Sequence, residues 1–136
     1  MDYQYKSKQA KGAIRYITEE YGAEPEFLWR EAFPKYPSYA VFRNKDNKKW
    51  FGVLMTVPGI RLGMESEKEF EVIDLKFDKG QALDFIESCG DEGVRPAYHM
   101  NKQNWLTIVF DENKLTDEQL FNLIDKSYEL SLASKN

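Results

Sequence analysis

The chain has 136 residues, of which 42% are apolar and 31% charged, and its formal net charge is −4. Nine Phe, 8 Tyr and 3 Trp against 8 Gly and 5 Pro exclude a disordered chain, because bulky side chains offset the entropy of ordering a backbone. The longest apolar run, Trp50 to Met55, falls far short of the ~20 residues that cross a bilayer, so no membrane association is expected.

Ser7 has the chemistry of an N-cap, and Ala10, Ile14, Ile17 and Tyr21 recur at helical spacing before Gly22, which predicts a helix over 7–21. Ser38 to Arg43 and Lys49 to Val57 are rich in β-branched and aromatic residues and flank Asn44-Lys45-Asp46-Asn47-Lys48, which predicts a hairpin. Pro58-Gly59 ends the second strand. Ile60 to Glu69 reads as a polar connection with room for a short strand, and Phe70 to Phe77 as a third strand.

Asp78 and Gln81 have capping-box spacing, and Leu83 with Ile86 supplies an apolar stripe for a helix that ends near Cys89-Gly90. Asp91 to Asn101 reads as irregular. Asn104 to Phe110 carries bulky residues on both faces: Leu106, Ile108 and Phe110 on one, Trp105, Thr107 and Val109 on the other. That pattern belongs to an interior strand covered on both sides. Thr116 and Gln119 form a second capping box, before a helix whose expected buried face is Leu120, Ile124, Tyr128 and Leu132. The expected fold is an α+β two-layer sandwich, a mostly antiparallel sheet with three helices in the order α-β-β-β-α-β(β)-α. It forms a single domain over residues 1–136.

Charge is unevenly distributed: residues 1–61 sum to +4 and residues 62–136 to −8. A basic patch therefore belongs to the first half, where Arg43, Lys45, Lys48 and Lys49 crowd the hairpin tip. With Lys102 they are the candidate contacts to a phosphate backbone; Trp50 is expected to pack in the core or at the sheet edge, with stacking on a base as its functional reading. A solvated turn that blunts a sheet edge is the competing reading. Glu65, Glu67, Glu69 and Glu71 alternate, and are expected to be solvated rather than metal-binding. His99 is the sole histidine, which excludes a two-histidine metal site, and Cys89 is the sole cysteine, which excludes an internal disulfide. The lone thiol and a start without an apolar signal core lead us to expect a reducing, cytoplasmic location. A Cys89–His99 nucleophile pair has no support beyond co-occurrence, and GxGxxG, GKS/GKT and GxSxG are absent, so neither an enzyme nor a cofactor is expected.

The densest polar stretch is Arg95 to Trp105, RPAYHMNKQNW. Its functional reading is a ligand pocket: Arg95 and Lys102 as cationic donors, His99 lining it, Asn101 as orienting amide, Trp105 or Tyr98 as stacking platform. Its structural reading is a loop whose backbone is fixed by Asn101 and His99 hydrogen bonds, with Tyr98 and Trp105 in the core.

This stretch, followed by LTDEQLFNLIDKSYEL from Leu115 to Leu130, resembles the signature of the MmcQ/YjbR-type family: a Pro-x-x-His-Met-Asn-Lys-x-x-Trp core, a strand, an acidic turn and a final helix carrying the Ile124-Asp125-Lys126-Ser127-Tyr128 element. EPEFLW (Glu24 to Trp29), YPSYAVFRNKDNKKWFGVLM (Tyr36 to Met55) and VIDLKFD (Val72 to Asp78) resemble the same family. Arg30 to Ser38 departs from it, being longer than the usual approach to the first strand. The resemblance implies a frataxin-like or secretion-chaperone-like sandwich and the family's label of DNA-binding protein with a double wing. It implies no catalytic residues. The expectation is a small non-enzymatic protein with DNA as its partner. The alternative is a ligand- or protein-binding adaptor using the Arg95–Trp105 loop.

Overall fold

The computed structural model describes residues 5–30 and 38–133, so most of the Arg30–Ser38 departure lies outside the described residues. Helix α1 spans Lys8–Tyr21. Ser7 Oγ accepts from the Ala10 amide at 3.1 Å, a cap of the kind worth ~1 kcal/mol. At the other end Gly22 adopts φ 64°, a conformation that costs glycine least, and its N–H returns to Thr18 O.

Strands β1 (Ala40–Arg43) and β2 (Trp50–Pro58) form the predicted hairpin. Asn44 Oδ1 accepts from Asp46 N and Asn47 Oδ1 from Lys49 N, so the two asparagines fold the turn with their own side chains. β3 (Glu69–Lys76), β4 (Val94–Pro96) and β5 (Trp105–Val109) complete an antiparallel sheet of order β1-β2-β3-β5-β4. β5 lies inside the sheet with all five residues buried, as its two-faced pattern requires.

Helices α2 (Ala82–Cys89) and α3 (Asp117–Ala133) join α1 on one face. There Ala10, Ile14 and Ile17 of α1, Phe85 and Ile86 of α2, and Leu120 and Ile124 of α3 meet Phe42, Phe51, Leu54, Ile73, Leu75, Leu106 and Ile108 of the sheet. The Thr116–Gln119 capping box closes as predicted: Thr116 N donates to Gln119 Oε1 at 2.9 Å and Gln119 N to Thr116 Oγ1 at 3.1 Å. The opposite face carries Val41, Val53, Met55, Val72, Trp105 and Val109 and is roofed by loops through Trp29, Leu62, Met64, Ala97, Tyr98 and Met100.

Four local expectations are corrected. The connection between β2 and β3 holds a 3-10 turn, Gly59–Leu62, and no extra strand; Gly59 N donates to Lys68 O and the turn lays Leu62 onto the sheet. The segment read as irregular contains β4, because β5 has a free edge to pair with; Pro96, lacking an N–H, closes that strand. Asp78 does not cap α2: its carboxylate pairs with Lys126 of α3 at 2.8 Å, and Gln81 makes no side-chain cap. Leu83 and Leu132 are exposed, at 51% and 49%. α3 instead docks through Ser127, whose Oγ donates to Phe51 O and accepts from Lys76 N, and through Ser131, which accepts from Asn44 Nδ2 at 3.1 Å. That polar seat turns Leu132 outward.

Candidate functional site

The RPAYHMNKQNW stretch is held largely by its own bonds. Arg95 Nη1 donates to Leu62 O at 3.0 Å, tying β4 to the 3-10 turn. Lys102 Nζ donates to Ala97 O at 3.0 Å, across the base of the loop. Asn101 Oδ1 accepts from Gln103 N at 2.7 Å, while its carbonyl accepts from Asn104 N and Trp105 N. Tyr98 N donates to Thr107 Oγ1 at 3.0 Å. Trp105 is 6% exposed. Of the residues nominated for a ligand, Arg95, Asn101 and Trp105 thus build the loop, and Trp105 offers no stacking platform. The Ile124–Tyr128 element is equally structural. Asp125 Oδ1 accepts from the hydroxyls of Tyr16 and Tyr21, Tyr128 stacks on Tyr21 with centroids 3.8 Å apart, and Lys126 and Ser127 make the bonds given above. Burial first, then Asp125, pushes the Tyr16 hydroxyl up to about 12.

His99 has a different fate. It is exposed and left-handed at φ 71°, which projects it over the loop-covered face. There it lines a cleft of about 320 Å³ with Trp29, Tyr39, Trp50, Val53, Met55 and Met100. The Trp29 ring stands at 80° to Trp50 and at 81° to Tyr39, with centroids 5.8 and 6.2 Å apart, and Tyr39 lies 6.2 Å from His99. The cleft is bordered by cations. The Arg43 guanidinium lies 5.9 Å from the Trp50 ring, and burial together with Arg61 and Lys102 pulls His99 below its ordinary value, so the imidazole is neutral at pH 7. Sequence reasoning missed Trp29 and Tyr39, whose separation along the chain hides that they meet.

The nominated basic residues are brought to one end of the sheet. Arg43 ends β1, Lys45, Lys48 and Lys49 form the turn, and Lys76 ends β3 beside them. Burial, then the nearby Lys49 charge, lowers the Lys76 ammonium below its usual value. Arg43 pairs with Glu26 at 3.2 Å, Lys76 Nζ lies 5.8 Å from the Trp105 ring, and Lys45 Nζ lies over Gly22 at the negative end of α1. Asn44 and Asn47 fasten the turn to Ser131, so the hairpin is clamped to α3.

A residue that was not nominated stands out. Asp74 sits on the loop-covered face between Val53 and Thr107, and Thr107 in turn faces Arg95. It is fully buried; Thr107 Oγ1 donates to its Oδ1, and its Oδ2 has no partner. Burial raises this carboxyl well above the ordinary value, against the opposing effects of the Thr107 bond and Lys102. The signal was legible: a carboxylate in Val72-Ile73-Asp74-Leu75, a run buried on both faces.

Cys89 and His99 are apart. The thiol packs among the helices and is raised by burial and then Asp91, whereas the imidazole stands on the opposite face of the sheet, so they form no catalytic pair. Among the described residues no cluster of three His, Cys, Asp or Glu side chains is placed to hold a metal. Glu71 instead accepts from Lys6 N and Ser7 N at 2.8 and 2.7 Å, while Glu65, Glu67 and Glu69 are exposed. No helix among the described residues is long and apolar enough to cross a membrane. A larger depression of about 730 Å³ lies between α1 and the start of α3, but Gln9, Asp111 and Asn113 satisfy one another there.

The fold recurs in known proteins. The chain is 32% identical over 118 residues to YyaQ of Bacillus subtilis (strain 168), covering 87% of this chain and 93% of YyaQ. A Pseudomonas syringae protein solved by crystallography superposes with a TM-score of 0.77 at 34% identity, over 89% of this chain and 97% of that one. A Deinococcus radiodurans crystal structure, at 18% identity, shares the fold with a TM-score of 0.60, over 89% of this chain and 76% of that one. The YjbR family model matches residues 19–130, which takes in both the Arg95–Trp105 loop and the Ile124–Tyr128 element, and the chain belongs to the YjbR family.

Proposed function

We propose that this protein is a non-enzymatic nucleic-acid-binding protein that works in the cytoplasm and engages phosphates through the basic end of its sheet. The observation that carries this reading is the convergence of Arg43, Lys45, Lys48, Lys49 and Lys76 on adjacent strand ends. A −4 chain bears such a cluster only if its acids lie elsewhere, and 16 of the 23 lie after residue 61. The clamp onto Ser131 presents the turn in one fixed geometry, which lowers the entropic cost of binding. Lys102 contributes less than its neighbours in sequence suggest, since its ammonium already bonds Ala97 O.

The test is binding of labelled oligonucleotides as a function of salt. With about four phosphate contacts, affinity falls on the order of 100-fold between 50 and 200 mM salt. Replacing Lys45, Lys48 and Lys49 together by Glu abolishes the binding. Salt-independent binding, or unchanged binding by the triple variant, overturns the reading. The adaptor reading keeps one favourable observation: His99 and Met100, from the same loop, line an open cleft.

A further inference from the structure

The cleft bounded by Trp29, Tyr39, Trp50, His99 and Met100 has the chemistry of a small-molecule site. At about 320 Å³ it is at the small end of such sites, so its guest is one compact group. Rings at 80° and 81° to one another let a flat guest lie on one ring and meet the edge of the next. Perpendicular aromatic rings also suit a quaternary cation, and the charges decide between the two. Arg43 lies 5.9 Å from the Trp50 ring, the positive charges of Arg61 and Lys102 reach His99, and the Glu26 carboxylate is already taken up by Arg43. A cation would enter against its own sign. A flat, uncharged ring carrying an anion outside the cleft matches both the walls and the rim.

The basic end of the sheet runs directly into this cleft, since Lys49 precedes Trp50 and Arg43 pairs with it across the hairpin. We infer that the cleft holds one unpaired nucleobase of a single-stranded nucleic acid, with the adjoining phosphates on Arg43, Lys49 and Lys102. This rests on the nucleic-acid reading above and adds to it a strand preference. Bases within a duplex have both faces stacked and cannot enter, whereas those of a single strand present a free face to an aromatic ring. Lys102 bonds Ala97 O with one N–H and keeps two further donors for an anion.

The experiment compares four ligands on the full chain at one low salt concentration: an oligothymidylate, a strand of equal length with abasic sites throughout, a duplex of that length, and thymidine 5′-monophosphate. Strands are followed by anisotropy of an end label and the mononucleotide by quenching of tryptophan fluorescence. The oligothymidylate is expected to bind about 10-fold or more tightly than the abasic strand, in line with the loss seen when a stacking ring is removed. Trp50→Leu should erase that difference while the abasic strand binds as before. Equal binding of base-bearing and abasic strands, or of single strand and duplex, overturns base capture and leaves phosphate binding standing. Quenching by the mononucleotide with no strand bound sinks the nucleic-acid reading but upholds the cleft as a nucleobase site. No quenching and no strand bound ends both. The comparison among ligands uses the unmodified protein, so it holds even if Trp50→Leu fails to fold.

Discussion

On the face that carries α1, α2 and α3, Phe42, Phe51, Leu54, Ile73, Leu75, Leu106 and Ile108 are all fully buried beneath apolar helix stripes. On the other, the same strands present Val53, Asp74 and Thr107 in one row toward Arg95, and loops rather than helices form the roof. A helix covers a sheet with a continuous stripe of side chains and satisfies its own backbone. A loop covers it in patches and needs polar groups to hold its backbone, so polar residues and an open cleft collect on that side. One face maintains the fold, and the other can carry a guest.

The contrast can be broken most severely on the helix side. Ile108→Ala removes a fully buried side chain between β3 and β4 and should cost about 2–5 kcal/mol, read as a fall in the urea midpoint with an unchanged slope. A loss below 1 kcal/mol would mean that this face is not the tightly packed one.

Asp74→Asn sharpens the comparison on the loop side. A carboxyl raised in the folded state binds its proton more tightly there than in the unfolded chain. Its stabilising contribution is therefore full below the ordinary carboxylate value of 3.8 and declines as pH climbs toward the folded value. Asparagine keeps an acceptor for Thr107 and has no proton to lose. The variant should thus gain on the wild type as pH rises from 4.5 to 8, measured by paired urea titrations. A gap that stays constant across that range would show Asp74 to be ordinary.

The smallest effect is expected at Leu83, which a stripe with Ile86 would bury and which the fold exposes. Leu83→Gln should change stability by less than about 0.5 kcal/mol; a loss of 2 kcal/mol or more would restore the original stripe.

Local patterns were legible wherever a residue's partner lies within a few positions. Ser7, Gly22 and the Thr116–Gln119 box act on their own helix ends, and the alternation of Leu106 with Trp105 and Thr107 records a strand covered twice. Legibility failed where a distant partner competed. Asp78 has the spacing of a cap, but Lys126, 48 residues away, holds it. Leu132 continues a four-residue rhythm, but the Ser131 seat beneath Asn44 and Asn47 sets the rotation of that helix end.

The amino-acid order by itself determined the three helices, the strands β1, β2, β3 and β5, the sandwich they form and the basic hairpin, because periodicity, caps and turn chemistry act over short distances. Only the tertiary structure decided that Trp105 closes the core while His99 opens onto a cleft, that Trp29, Tyr39 and Trp50 share its walls, and that Asp74 is shut inside the sheet. Those outcomes depend on which strands become neighbours, and strand pairing is settled by the burial of the whole sheet rather than by any segment of it.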